Sequence, residues 1–286
     1  MIKRSIAGGG LLLLASASLG WNGTGHMVIA SIAQSRLRPA VLAEAQRLLM
    51  VGASPKANDF ITASVWADDV TQERPESRGW HYVNNYFRAD GSPSDKKPEA
   101  ENALTAMARF SAVLKDRSKP DAERANALRF LIHIAADLHQ PLHASSRIDP
   151  QHPDGDRGGN DVPVKLLEWP ETNTAPKNLH ALWDSGAGLF PQIDRPLNDA
   201  DRRLIRVQAV SLIAAIPPKG PFRPAQMRPE VWAQEGLLLA KDVAYAFPDG
   251  GEINGWYLRA AQSACAHRSV AAGYRLAQLL NTLLAP

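Results

Sequence analysis

The sequence predicts an all-α fold, a single compact multi-helix domain with long functional loops and at most a short hairpin. Three observations carry that prediction. Apolar residues recur at helical spacing through most of the chain, alternation of β-branched residues is nearly absent, and no internal repeat or low-complexity tract divides it. Of the 286 residues, 45% are hydrophobic and 21% charged, ordinary proportions for a globular chain. A chain of this length can bury a sizeable core.

The elements follow in order. Lys3 and Arg4 make a positive head, residues 6–17 are apolar or small, and Ser18-Leu19-Gly20 offers small side chains where a signal peptidase reads. That layout is a cleavable secretory signal over residues 1–20, too short and wrongly flanked for a spanning helix. Cleavage after Gly20 leaves residues 21–286 as one domain with a free amino group on Trp21 and no membrane anchor, periplasmic or secreted. The competing expectation is an anchor retained in the mature protein. Residues 28–50 carry Ile29, Ile32, Ala33, Leu37, Leu42, Ala45, Leu48 and Leu49 at helical spacing, and Pro39 splits the run into two helices. Residues 100–114 and 120–142 form amphipathic runs, the second opening with Asp121 and Glu123 in its first turn. Residues 202–216, 229–245 and 255–284 complete the helices, the last with a packing face of Val270, Leu276, Leu279, Leu280 and Leu283. Residues 162–166 suit one short strand or hairpin arm. Residues 88–98 and 147–177 are loops by composition, and a loop as long as the second points to a function.

Charge and cysteine narrow the function classes. There are 32 basic and 29 acidic residues; without Lys3 and Arg4 the balance is 30 against 29, so a pI near 9.0 implies no basic face for nucleic acid. Cys265 is the only cysteine, so no intramolecular disulfide can hold the fold. Stability must come from the core or from bound metal.

Chemistry concentrates among the eight histidines. His133 and Asp137 stand four residues apart, as do His180 and Asp184, and on a helix an offset of about 40° points both side chains off one face. Imidazole and carboxylate together suit zinc, which takes nitrogen and oxygen donors. The spacing alone is not specific, since a lone pair of this kind more often has a solvated or core role. His152 and Asp156 share it inside a Pro/Gly loop, and His139 and His143 share it across Pro141, which bends or ends the helix. His133 differs because it sits among Leu131, Ile132 and Ile134; a buried histidine beside a buried aspartate needs each other or a cation.

Further fragments stand in order along the chain: WNGTGH from Trp21, SVWAD from Ser64, HYVN from His81, HIAADLHQPLH from His133, GGN from Gly158, NLHALWD from Asn178 and AGYRLAQLLN from Ala272. In this order the chain resembles the zinc-dependent single-strand-specific nucleases of the S-one/P-one type, which also act as 3′-nucleotidases and are relatives of bacterial zinc phospholipase C. The resemblance spans almost the whole mature chain and implies three zinc ions. It assigns Asp68, His81, His133 and Asp137 to one, and His143, His180 and Asp184 to a second. The third takes His26, Asp137 and the amino nitrogen and carbonyl oxygen of Trp21. Asp68 and Asp137 are expected to serve catalysis, and Asp137 to be shared. Three such ions against three aspartates leave a charge of about +3, suited to a phosphodiester, and supply a nucleophile at neutral pH by acidifying water. Substrates by this resemblance are single-stranded DNA, RNA and 3′-nucleotides, the products are 5′-phosphorylated, and no stable protein partner is implied. Tyr82, Asn84, Gly159 and Asn160 are expected to form the base pocket, an amide offering donor and acceptor and a tyrosine ring a stacking face.

Departures from the family pattern are visible too. Asp69 stands where relatives often have a basic residue, for which Arg74 or Arg78 could substitute. His139, His152 and His267 fall outside the ligand pattern and read as surface or structural. The glycosylation-type triplet Asn22-Gly-Thr24 reads as coincidence, since a glycan there would obstruct the site. The alternatives are a zinc phospholipase C on phosphatidylcholine-like lipids, an enzyme acting on both substrate types, and a non-catalytic zinc carrier. GGN, HYVN and Asp184 favour the nuclease.

Overall fold

Prolines and capping side chains set most of the helix boundaries in the computed structural model, which describes residues 20–169, 174–217, 224–247 and 251–285. Residues 1–19, nearly all of the expected signal, lie outside the described residues. Helix α1 (Gly23–Gln34) starts at Asn22, whose side chain accepts the Gly25 N–H. Arg38 is extended ahead of Pro39, and α2 (Pro39–Leu49) begins on that proline, so the run expected over residues 28–50 divides where the sequence says. A 3₁₀ turn (Thr62–Val65) leads into the short α3 (Trp66–Asp69), and a second (Pro75–His81) precedes strand β1 (Tyr86–Arg88). Asn102 and Thr105 form a reciprocal capping box for α4 (Ala103–Lys115).

Helix α5 (Asp121–Asp137) passes through the interior, and from Arg124 onward almost every residue is buried. An amphipathic run was expected, with the stretch around His133 buried; burial on all sides from Arg124 onward makes it a central element. It stops at Asp137 rather than continuing to residue 142, because Gln140 turns extended before Pro141 and its side chain accepts the Leu142 N–H at 2.6 Å. The chain resumes as a 3₁₀ turn (Pro141–Ala144) and strand β2 (Ser146–Ile148). Strand β3 (Lys165–Leu166), helix α6 (Leu179–Asp184), helix α7 (Asp199–Ala215), helix α8 (Pro229–Leu239), strand β4 (Glu252–Ile253) and helix α9 (Gly255–Leu283) follow. A π turn (Ala240–Ala244) carries α8 onward, which accounts for the longer run expected to residue 245.

The strands do not form a hairpin. β1 pairs in parallel with β2, and β3 in parallel with β4, each joining segments far apart in sequence. The first pair fastens the chain after His81 to the chain after His143, and Val83 N–H donates to the His143 carbonyl at 2.8 Å. One buried apolar cluster gathers α2, α4, α5 and the C-terminal half of α9. A second gathers Trp21, α1, α6, α7 and the N-terminal half of α9. Among the described residues no helix is long and apolar enough to cross a membrane.

Candidate metal centre

Five side chains from four segments converge beside the C-terminal end of α5. His133 and Asp137 leave one face of that helix, as the four-residue spacing requires, and His133 Nε2 lies 3.1 Å from Asp137 Oδ2. Asp68 from α3 and His81 from the second 3₁₀ turn close around them. His81 Nδ1 is 3.0 Å from His133 Nε2, 3.2 Å from Asp137 Oδ2 and 3.6 Å from Asp68 Oδ1; His133 Nε2 is 3.4 Å from that same oxygen. A tetrahedral shell with bonds of about 2.0–2.1 Å sets its ligand atoms about 3.3–3.4 Å apart. His81, His133 and Asp137 therefore have the mutual spacing of ligands around one zinc-sized ion, and Asp68 Oδ1 lies at a similar distance from both imidazoles.

His26 completes the group. Its ring stacks on His133 at 3.9 Å, and its Nε2 lies 3.3 Å from Asp137 Oδ1. Both ring nitrogens of His26, Asp68 Oδ1, His81 Nε2 and Asp137 Oδ1 are buried without a hydrogen-bond partner. Buried polar atoms are normally satisfied, so this concentration of unsatisfied donors and acceptors calls for a cation. Burial, with the neighbouring His133 charge, pushes His26 down to about 4. Burial also disfavours charge on His133, but Asp137 and Asp68 outweigh it and hold that imidazole well above its ordinary range. Asp137, likewise opposed by burial, is held well below the usual carboxylate range by His133. Two carboxylates in one dry pocket thus recruit positive charge by whatever means is present.

A second group lies next to the first. His143 from the 3₁₀ turn and His180 from α6 bring their Nε2 atoms to 3.1 Å, with Asp184 oxygens at 3.7 and 3.5 Å from them. Burial, with the adjacent His143, lowers His180 to about 3. Each ring is aimed from behind by a backbone carbonyl: Nδ1–H of His133 donates to Ser64 (2.7 Å), that of His143 to His81 (2.8 Å) and that of His180 to Gly158 (2.7 Å). A carbonyl only accepts, so Nδ1 of each ring carries a proton and Nε2 faces the cluster as the atom a metal would take, displacing the proton that Asp137 and Asp68 favour on His133. Gln140 Nε2 donates to Asp184 Oδ1 at 2.7 Å, a support the sequence reading missed; the QP step before His143 marks its place. Each of the two groups contains a triad able to hold a metal ion: His81, His133 and Asp137 in one; His143, His180 and Asp184 in the other.

Trp21 is fully buried, its indole N–H donating to the Ala136 carbonyl and its ring packed edge-on against Phe190. A Cβ on Gly20 would lie 2.2 Å from Asp137 Oδ1 and 2.8 Å from His26 Nε2, so the chain enters Trp21 through this corner. Gly25 sits inside α1, where its role is close packing: a Cβ there would meet Trp21 at 3.0 Å and Phe190 at 3.1 Å. The triplet Asn22-Gly-Thr24 is engaged internally. Asn22 Nδ2 donates to the Phe190 carbonyl, and Thr24 is buried with its hydroxyl accepting the Ile193 N–H.

Residues expected around a base lie beside these groups. Tyr82 is half-buried and feels the charges of both Glu99 and Arg157. Asn84 donates through its amide to Glu99, and Asn160 donates to the Arg157 carbonyl at 2.9 Å. Gly158 and Gly159 both take positive φ, and a Cβ on Gly158 would come within 2.3 Å of the Leu142 carbonyl, so the GGN turn is what lets Gly158 reach His180. Asp69 is gripped by Arg195 through two bonds of 2.9 and 2.8 Å, so a basic group does sit beside Asp69, supplied from far along the chain. Arg74 stands over the Trp66 ring. Of the remaining histidines, His139 is buried and structural, accepting from Arg275; His152 pairs with Asp149; His267 is exposed.

Comparison with known proteins follows the same line. Residues 21–285 match the family model described as S1/P1 Nuclease. Endonuclease 2 of Arabidopsis thaliana is 27% identical, over 95% of this chain and 93% of its own length. Endonuclease 3 of the same plant is 25% identical, over 96% of this chain and 92% of its own. Nuclease S1 of Aspergillus oryzae is 27% identical over 61% of this chain and 56% of its own length. The phospholipase C alternative finds no support among these relatives.

Proposed function

Because the chain belongs to the S1/P1 nuclease family, we propose that it hydrolyses single-stranded DNA and RNA to 5′-phosphorylated products, acts as a 3′-nucleotidase, and holds three zinc ions. The convergence of Asp68 on the ligand-spaced atoms of His81, His133 and Asp137 carries this reading. His26 with Asp137, and His143 with His180 and Asp184, would hold the other two ions. Zinc, when bound, supplies Lewis acidity and water acidified to a pKa of about 7. The protein contributes position. Three carbonyl-locked imidazoles and a two-faced Asp137 fix the ligand atoms before substrate arrives. Tyr82 provides a ring for stacking, and Asn84, Gly159 and Asn160 line the base site, which an unpaired base can enter and a paired one cannot.

The chain is proposed to be exported, with residues 1–20 removed and residues 21–286 forming the periplasmic or secreted enzyme. Cleavage would leave the Trp21 amine in the corner where Gly20 now approaches Asp137 and His26. An α-amine, with a pKa of about 7.7–8.0, yields its proton to a metal at modest cost.

The test is turnover by zinc-loaded protein beginning at Trp21, given single-stranded and duplex DNA, RNA, 3′-nucleotides and a phosphatidylcholine analogue. Cleavage of the single strands with 5′-phosphate ends is expected. Hydrolysis of the lipid analogue alone would overturn the reading.

A further inference from the structure

Glu99, just ahead of α4, is absent from the expected base pocket yet organises it. Its carboxylate takes the Asn84 amide nitrogen at 3.1 and 3.2 Å and the Tyr86 hydroxyl at 2.8 Å. A carboxylate only accepts, so the NH₂ of Asn84 faces Glu99 and its carbonyl oxygen is the end left for a ligand. The Tyr86 proton is likewise committed to Glu99. Lys96, 4.7 Å above the Tyr86 ring, is engaged by the Asp154 carbonyl and carboxylate at 2.6 and 3.2 Å. Arg157, the cation felt by Tyr82, is engaged by Asp161 at 3.3 Å. Glu99 itself is exposed and open to an incoming group.

We propose that Glu99 determines base preference: with Asn84 and Tyr86 it presents a wall of oxygen acceptors that selects guanine over adenine. The inference rests on the nuclease reading above and on Tyr82 and Asn84 lying beside the scissile phosphate. Three residues of chain from His81 to Asn84 span at most about 10 Å, so the wall stands within a nucleotide's reach of the metal centre. Guanine carries N1–H and N2–H₂ side by side on its Watson–Crick edge, two donors for two acceptors of this wall: the Asn84 carbonyl oxygen and the Glu99 Oε2 lone pair that Asn84 leaves free. Adenine and cytosine each set an amino group beside a ring nitrogen lone pair, which would face an acceptor. Uracil offers one donor between two carbonyls. Sites that bond a donor reject the analogue lacking it, because a charged acceptor left unmatched is costly.

The experiment compares kcat/KM for the dinucleotides GpU, IpU and ApU, using zinc-loaded protein beginning at Trp21. Inosine keeps N1–H and lacks the 2-amino group. Wild type should cleave GpU about tenfold faster than ApU, with IpU between them. Glu99→Gln, whose amide can turn a donor toward the base, should lower GpU, raise ApU and bring their ratio near one. A wild-type ratio within about twofold would overturn the proposal and leave the nuclease reading standing. So would a Glu99→Gln variant that loses both substrates equally, since that marks a purely structural role. Failure to cleave any dinucleotide or single strand would instead remove the nuclease reading itself.

Discussion

Asp137 presents its two oxygens to different neighbours, Oδ1 at 3.3 Å from His26 and Oδ2 at 3.1 Å from His133. A carboxylate placed so can serve two ions, and its removal should cost both. Asp137→Ala is expected to lose more than one zinc per protein by metal analysis; retention of three would end the bridging assignment. At the opposite corner, one extra residue ahead of Trp21 should lower both zinc content and activity, because an amide nitrogen has no lone pair to give. Wild-type values in that variant would exclude the terminal amine as a ligand. The four-residue spacing was informative at residue scale only where the backbone is helical. His133/Asp137 and His180/Asp184 pair as it says, whereas Asp156 turns from His152 and is buried under Tyr245, whose hydroxyl donates to it at 2.6 Å. The Pro/Gly composition around His152 already set that pair apart.

Elements position what residues supply. One turn after β2 approaches His180 from behind through the Gly158 carbonyl, and that turn works only with glycine. Gly158→Ala would force a Cβ into the Leu142 and Ser145 carbonyls at 2.3 and 3.2 Å at a positive φ. Strain of about 1–3 kcal/mol is expected, and the turn should relax away from His180. Thermal melts should show the destabilisation and metal analysis the loss of the ion at His143, His180 and Asp184; an unchanged zinc count would show that His180 is oriented by something else. The helix boundary at Pro39 was legible because proline acts locally, whereas Pro141 marked a break after α5 without placing its end at Asp137. The parallel β1–β2 pairing was not, since it joins residues about sixty positions apart with no turn signal between them.

For the whole molecule, α5, α8 and α9 are tied together through Glu235. Its carboxylate takes Arg268 at 2.5 Å and Arg275 at 2.6 and 2.8 Å, while Arg268 also donates to the Leu138, His139 and Trp232 carbonyls. Burial would raise Glu235, but the two guanidinium groups outweigh it and lower its pKa. An acid whose folded value is depressed stabilises the fold above its unfolded pKa of about 4.3 and loses that contribution as pH falls through the folded value. Glu235→Gln should therefore cost about 3 kcal/mol in urea unfolding at neutral pH, because both guanidiniums lose their counter-charge. The difference from wild type should shrink below about pH 4; a difference independent of pH would mean the charge is not what matters. By itself the sequence determined the helical class and the main helices, because helical periodicity and proline are properties of the chain read along its length; its ordered motifs named the candidate residues of the centre. Tertiary structure decided that α5 is buried on every side, which carbonyl aims each imidazole, that Arg195 reaches Asp69, and that Glu99 holds Asn84. Each of those depends on atoms brought together across the fold, and local sequence carries no record of such neighbours.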